Sequence, residues 1–451
     1  MKLNPWQSHF LTTGGSDRYA SLEQRAVAQA IRGDSIPARA QFLKFKMGEV
    51  FLCGDQASLL LDQLLSIGEG HALAHYGSFQ QVLGGIYDEH PWGENTQPAL
   101  MLTGLAGVGK SELIKATRRL FADRLGRVDL PGHPNLEIVP AWFMSLKDSK
   151  TLNALLEPFV DPVIETNAAE KIPQKKDLNQ TQLLRLARRV SRRGGVCMIF
   201  IDEFQFISHS NQASAWAMAL LLNMLSVGPR VVYVANFSLA SRLKNRRPED
   251  RHRVLANHFE LRPDAVDSLD FLNYVNELTR IAPQDFRFEA SEVADLVHRY
   301  SFGIKRAVVA LLVGAWEHAK RVRGARADVT ESDLKAAYAS SGYFPFRSDS
   351  EELRRYSIGC QDIDPGLINP LAVEKPADNV IVAQGAISDF NRRANERHLE
   401  GMLTPAEKDA LSKLAPPKKA STAENRVRAL PRHAASKDAL LDAFNRLAKD
   451  L

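Results

Sequence analysis

A glycine-rich segment of eight residues, 104–111 (GLAGVGKS), constrains the fold more than any other feature of the sequence. It matches the pattern G-x-x-x-x-G-K-[ST], in which glycines let backbone N–H groups turn inward around phosphate. The apolar run 99–103 before it predicts a buried strand, and residues 111–125 after it predict a helix whose N-terminus faces the same anion. We therefore expect a strand–loop–helix unit that binds the phosphates of a nucleotide.

The residues of this loop have distinct expected roles. Lys110 is expected to reach the β- and γ-phosphates, and the Ser111 hydroxyl is expected to bind Mg²⁺. The other residues expected to contact the nucleotide are Gly104, Ala106, Gly107, Val108, Gly109 and Glu112.

A second apolar run, residues 196–201 (VCMIFI), ends in the acids Asp202 and Glu203. An acid at the C-terminal tip of a central strand lies next to the phosphate loop in open α/β sheets. We expect Asp202 to hold Mg²⁺, directly or through water, and Glu203 to orient and polarise the attacking water. The alternative is a surface pair of acids that only ends a strand. Because the sequence has no Asn-Lys-x-Asp motif for guanine, ATP is favoured over GTP.

Strand-like and helical patterns alternate from residue 97 to 262, which predicts an α/β fold with a parallel sheet between helices. A third apolar run, 231–235, ends at Asn236, whose amide either positions the hydrolytic water or simply forms a turn. Helical patterns dominate from 264 to 340 and predict a small bundle. We expect an N-terminal helical extension (1–95), an α/β core (96–263), a helical lid (264–345), a post-lid segment (346–375) and a flexible tail with a short terminal amphipathic helix (376–451).

Arginines at two places are candidates for stabilising phosphate charge. The basic run 242–253 includes Arg251 and Arg253, which either act on the nucleotide of a neighbouring subunit or lie on a solvated face. Arg306 follows Gly303 at the predicted start of a bundle helix. It either folds back onto the nucleotide of its own subunit or is an ordinary exposed arginine.

In this order along the chain, these features resemble the AAA+ ATPases, a class of P-loop NTPases with a small C-terminal helical lid. The finer resemblance is to the TnsC/TniB family of transposition regulators, relatives of MuB and IstB, over about residues 95–360. Four stretches carry it: GLAGVGKS, IFIDEFQFISHS, AMALLLNMLSVGPRVVYVAN and FRSDSEELRRYS.

The resemblance implies an ATPase in which hydrolysis acts as a regulatory switch. Such a protein uses ATP and Mg²⁺ to assemble as a ring or helical filament on double-stranded DNA, without reading its sequence. It couples a target-selector protein to a transposase subunit. Two other interpretations stay open: another AAA+ DNA protein, such as a replication initiator or helicase loader, and a nucleotide-gated signalling or defence NTPase.

The charge balance permits a nucleic-acid partner, since 58 Lys and Arg against 53 Asp and Glu give a net charge of +5. Basic side chains that track phosphates bind DNA without reading bases. The alternative for such residues is a solvated helix face or a contact between subunits. The candidates are Lys147 and Lys150 in the loop after the second strand, and Arg185, Arg188, Arg189, Arg192 and Arg193 on a predicted helix, where residues 185, 188, 189 and 192 are expected to share one face.

Composition excludes several other classes of protein. Three widely spaced cysteines exclude a disulfide scaffold and a Cys-rich zinc site, and they fit a reducing cytoplasm. The first residues contain no apolar signal segment, and the longest apolar run, 307–316, is too short to span a bilayer. We therefore expect a cytoplasmic protein without a membrane partner. In the tail, Leu440, Leu441, Phe444 and Leu447 form a short apolar stripe that we expect to dock in a groove. The resemblance implies that the groove belongs to the transposase or an associated subunit, and the alternative is that the helix packs onto the lid of its own chain.

Overall fold

In the part of the chain that the structure describes, five parallel strands form a central sheet and two more strands pair as an antiparallel hairpin. The strands are β1 (Leu100–Gly104), β2 (Gly126–Leu130), β3 (His133–Ile138), β4 (Ala141–Ser145), β5 (Met198–Asp202), β6 (Arg230–Val234) and β7 (Asn257–Leu261). The central order is β4-β5-β6-β1-β7, and β2 pairs with β3. The predicted parallel sheet is confirmed.

The structure is a computed structural model of the chain. It describes residues 4–11, 18–88, 97–122, 124, 126–147, 151–166, 179–204, 211–357 and 364–372. The chain divides into two units, and every described residue belongs to the first, Met1–Ile387. The predicted tail, 376–451, therefore lies outside the described residues.

Helices flank the sheet and continue into the lid. They are α1 (Pro5–Ser8), α2 (Ile36–Gly48), α3 (Asp55–Tyr76), α4 (Phe79–Tyr87), α5 (Lys110–Ala122), α6 (Leu152–Thr166), α7 (Gln180–Arg193), α8 (Asn211–Leu225), α9 (Phe237–Lys244), α10 (Pro248–Leu255), α11 (Leu269–Thr279), α12 (Ala290–Ser301), α13 (Lys305–Arg323), α14 (Glu331–Ala339) and α15 (Phe344–Ser357). Within the described residues, no helix is both long and apolar enough to cross a membrane.

Successive strand residues enter two different cores, one on each face of the sheet. Leu100 and Leu102 of β1 pack with residues of α2, α3, α5 and the lid. Met101, between them, packs with residues of α6, α7 and α8 on the other face. Every residue of β1 is buried, as expected for a parallel strand covered on both faces. The first helices, α1 to α4, thus share one core with the sheet and the lid.

Residues 137–146 contribute to two strands that belong to different sheets. The run breaks at Pro140, which has no N–H for a strand ladder. β3 ends at Ile138 and belongs to the hairpin, whereas β4 begins at Ala141 and forms an edge of the central sheet. Pro140 therefore marks a change of sheet.

A buried carboxylate holds two lid helices together. Asp333, on α14, is fully buried and accepts hydrogen bonds from Arg323 Nη2 at 2.6 Å, His318 Nδ1 at 2.8 Å and Thr330 Oγ1 at 2.7 Å. Burial alone would raise the pKa of Asp333, but these hydrogen bonds together hold it well below its usual range.

Replacing Asp333 by Ala should destabilise the lid by about 2–4 kcal/mol, because Arg323 loses its buried partner and the N-cap residue of α14, Thr330, loses the acceptor of its backbone N–H. The contribution of Asp333 should be present above its unfolded pKa, about 3.9, and should be lost as the pH falls towards its folded pKa. Urea unfolding at pH 7 and pH 3 measures both effects. The matched control is Lys335→Ala, which removes an exposed ion pair on the same helix and should cost less than about 1 kcal/mol.

Candidate nucleotide-binding site

The glycine-rich loop joins the end of β1 to the start of α5, as the sequence predicted. Lys110 is the first residue of α5, and only 9% of its surface is exposed. Its Nζ atom donates hydrogen bonds of 2.7 Å to the carbonyl oxygens of Gly104 and Leu105. Burial, with a further contribution from the charge of Arg306, lowers the pKa of Lys110 to about 8. The ammonium group therefore lies inside the loop that it is expected to serve.

The lid touches this loop directly. The backbone N–H of Arg306 donates a hydrogen bond of 3.0 Å to the carbonyl oxygen of Gly107. Gly107 has φ +87°, and a Cβ atom there would lie 2.7 Å from the Cβ of Arg306. Only glycine permits this approach, so Gly107 fixes how the first turn of α13 meets the loop.

Asp202 and Glu203 lie at the C-terminal end of β5, where Asp202 contacts Ser111 of the phosphate-binding loop. Asp202 ends β5, and its Oδ1 accepts hydrogen bonds from the Ser111 hydroxyl at 3.5 Å and from the Glu203 N–H at 2.7 Å. Glu203 has φ +66°, a left-handed conformation that is uncommon for a residue other than glycine. Burial raises the pKa of both carboxyl groups, and the charge of Asp202 raises that of Glu203 further.

The chemistry of Ser111 and Asp202 fits Mg²⁺, which prefers oxygen ligands and is usually bound by one or two protein groups together with phosphates and water. The hydroxyl and carboxylate already contact each other. Among the described residues, no group of three or more His, Cys, Asp and Glu side chains converges into a metal site of another kind.

Lys110, Ser111 and Glu203 line a cavity of about 960 Å³. This volume is typical of ligand-binding clefts. The predicted residues that line it are Ala106, Gly107, Val108, Gly109, Lys110, Ser111, Glu112, Glu203, Asn236 and Arg306. Asn236 also caps α9, because its Oδ1 accepts a hydrogen bond from Leu239 N at 3.2 Å. The expected role of Asn236 in orienting water therefore remains a proposal.

Residues from the N-terminal extension line the same cavity, which no sequence pattern predicts. They include Phe51, Cys53 and Gly54, which lie between α2 and α3. Gln24 and Phe51 form an isolated antiparallel bridge beside the cavity. No local pattern identifies such residues, because their place depends on tertiary packing. Lys305 also lines the cavity, and its position next to Arg306 was the signal that could have revealed it.

The two arginines proposed to act on a neighbouring subunit lie on or near the exposed side of α10. Arg253 is exposed, and Arg251 is half-exposed with its Nη1 3.4 Å from the carbonyl oxygen of Lys244. Neither belongs to the described residues that line the cavity.

The candidate DNA contacts belong to two parts of the chain, the segment after β4 and helix α7. Lys147 is exposed two residues after β4, whereas Lys150 lies outside the described residues. On α7, Arg189 is exposed, and the half-buried Arg188 donates a hydrogen bond of 2.6 Å to the carbonyl oxygen of Ser226.

The expectation that Arg192 lies on an exposed basic face is wrong. Only 3% of its surface is exposed. Its guanidinium lies 4.7 Å from the ring centroid of Tyr76, and its Nη2 donates a hydrogen bond of 3.3 Å to the carbonyl oxygen of Gln81. Arg192 therefore packs α7 against α3 and α4. The arginines of α7 that are exposed are Arg185, Arg189 and Arg193.

The loop, the acids and the parallel sheet define a P-loop NTPase fold. Residues 94–243 match the family model described as an AAA domain, so the fold is of the AAA+ type. The match does not distinguish the TnsC/TniB family from other AAA+ families. No curated protein matches the chain significantly.

Several solved AAA+ structures are distantly similar. The Aeropyrum pernix ORC1 protein in complex with DNA is 18% identical, with a TM-score of 0.38 over 71% of this chain and 83% of that one. CDC6P from Pyrobaculum aerophilum is 13% identical, with a TM-score of 0.34 over 57% and 65%. Domain III of the Thermotoga maritima replication initiation protein DnaA is 13% identical, with a TM-score of 0.31 over 64% and 92%. Likeness at this level does not indicate function.

ATP affinity should fall as the pH rises above about 8, because Lys110 must carry a proton to pair with phosphate and its pKa in the free protein is about 8. The limiting slope should be about tenfold per pH unit. Titration of a fluorescent ATP analogue between pH 7 and 10 measures it. Lys110→Met should bind weakly with no such slope, whereas the exposed lid variant Lys335→Met should behave as wild type. A flat wild-type profile would contradict the role given to Lys110.

Proposed function

We propose that this protein is an ATPase whose hydrolysis of ATP regulates its assembly on DNA, and that it serves DNA transposition in the manner of the TnsC/TniB family. One observation carries the ATPase proposal. Lys110, Ser111, Glu203 and the lid residue Arg306 line one cavity, and the Ser111 hydroxyl donates a hydrogen bond of 3.5 Å to Asp202. The transposition role rests on the sequence resemblance.

The side chains divide the work of hydrolysis. Lys110 and Arg306 place positive charge at the phosphates, where charge develops during transfer. Mg²⁺ held by Ser111 and Asp202 would neutralise further phosphate charge. Glu203 orients the attacking water and draws its proton, and the raised pKa of this carboxylate makes it a better base.

The proposed assembly places α10 at the nucleotide of a neighbouring copy. Arg253 is the better candidate for this contact, because it is exposed. The side chain of Arg251 instead lies against Lys244 of its own subunit. An arginine supplied by the neighbour would make hydrolysis depend on assembly as a ring or filament.

DNA is proposed to bind through exposed basic side chains that contact phosphates only. Lys147 is the described candidate beyond β4, and Arg185, Arg189 and Arg193 form a second candidate surface on α7. A target-selector protein and a transposase subunit are the proposed protein partners, by resemblance alone.

Glu203→Gln should bind ATP normally but hydrolyse it at least 100-fold more slowly, a typical loss for a positioned general base. The amide keeps the size of the side chain but cannot accept the proton of water. Filter binding and phosphate release, measured with DNA present, separate the two steps, and the ATP-bound assembly should persist. Glu137→Gln, an exposed site on β3, is the matched control. Normal turnover in Glu203→Gln would remove this residue from the mechanism.

Duplex DNA affinity should depend on salt and be nearly independent of sequence. Lys147→Ala should reduce the slope of log affinity against log salt by about 0.9, the value for one lost phosphate contact. Fluorescence anisotropy with two unrelated duplexes of equal length measures this, with Lys335→Ala as control. If the slope changes only in a variant lacking Arg185, Arg189 and Arg193, the DNA surface is α7 and the assignment of Lys147 is wrong.

A further inference from the structure

Lys305 lies beside the phosphate-binding loop but has no role in the mechanism described so far. It is the first residue of α13 and immediately precedes Arg306, whose backbone is bonded to Gly107. The Cδ atom of Lys305 would lie 3.5 Å from a Cβ placed on Gly109. The stem of this lysine therefore lies against the loop, and Lys305 lines the same cavity as Lys110 and Arg306.

The present partner of Lys305 holds it loosely. Its Nζ is 3.8 Å from Oδ2 of Asp264, beyond hydrogen-bond distance, and 5.4 Å from the ring centroid of Tyr274. Among the described residues, Asp264 Oδ2 has no hydrogen-bond partner, although its side chain is only 10% exposed. A buried carboxylate paired in this way gains charge attraction without a well-formed bond.

Asp264 occupies the connection between the α/β core and the lid. It lies between β7 and α11, and its backbone has one contact with the turn before α13 and one with α12. Asp264 N donates a hydrogen bond of 3.4 Å to the carbonyl oxygen of Gly303, and His298 Nε2 lies 3.0 Å from the carbonyl oxygen of Asp264. Asp264 therefore lies where the lid joins the core, and its backbone contacts two residues of the lid.

We propose that Lys305 is a second lid cation for the nucleotide phosphates, and that it leaves Asp264 for phosphate when a nucleoside triphosphate binds. This rests on the proposed function, because it requires a triphosphate in the loop. The phosphate chain carries more negative charge than one carboxylate and lies beside the lysine stem. Burial and the nearby charge of Asp270 raise the pKa of Asp264, with Tyr274 and His298 also facing it, so this carboxyl group can take up a proton once Lys305 leaves.

Two substitutions distinguish this exchange from a purely structural ion pair, because they have opposite expected effects. Lys305→Met keeps the stem but removes the charge, and should weaken binding of a fluorescent ATP analogue about tenfold or more, with a smaller effect on the ADP analogue. Asp264→Asn removes the competing carboxylate and should tighten ATP binding about threefold or more. The double variant should resemble Lys305→Met, because Asp264 acts only through Lys305.

The measurements use the full chain with Mg²⁺, and melting curves identify any variant that fails to fold. Lys305→Arg retains the charge and should retain most of the affinity, and Lys335→Met is the control for loss of an exposed lid lysine. Equal weakening by Lys305→Met and Asp264→Asn would show that the pair is structural and overturn the exchange. Unchanged binding in Lys305→Met would do the same. If wild type binds no ATP, the proposed function itself fails together with this inference.

Discussion

The close approach of the lid to the phosphate-binding loop is the constraint on which the rest of the site depends. Because Gly107 has no side chain, the first turn of α13 rests on the loop, with the Arg306 N–H bonded to the Gly107 carbonyl oxygen. This contact closes the cavity between two parts of the protein that are distant in sequence. It also brings Lys305 and Arg306 of the lid to the cavity that Glu203 of the core lines.

The N-terminal extension completes this arrangement from the other side. Arg119 of α5 donates a hydrogen bond of 2.8 Å to the carbonyl oxygen of Leu22, and the Ala26 N–H donates one of 2.9 Å to Glu277 of α11. A short stretch of backbone thus runs from the helix that follows the phosphate loop to the first helix of the lid. Since Glu277 is buried and also accepts a hydrogen bond from Arg280, this anchor is firm. The described residues among the first 88 are therefore part of the same body as the candidate site.

The features that could be predicted from the sequence are those that a local pattern encodes. The loop at 104–111, the strand that ends in Asp202 and the lid helices follow from glycine spacing, apolar runs and helical periodicity. Helical periodicity did not predict the exposure of side chains that residues from other elements cover. Arg192 has the spacing of an exposed helix residue, yet Tyr76 covers it with an aromatic ring. The sequence did not predict that residues near Phe51 line the cavity. Phe51 pairs with Gln24 in an antiparallel bridge, a contact that no local sequence pattern indicates.

The left-handed backbone conformation of Glu203 lowers the stability of the fold at a residue that is proposed to take part in hydrolysis. Glycine adopts this conformation without strain, whereas a side chain with a Cβ atom costs about 1 kcal/mol or more there. Replacement of Glu203 by glycine would relieve this strain but would remove the carboxylate. The catalytic role proposed for Glu203 gives a reason for a side chain at a position where glycine would be less strained. Homologues that have become nucleotide-binding scaffolds without turnover would be expected to relax at this residue first.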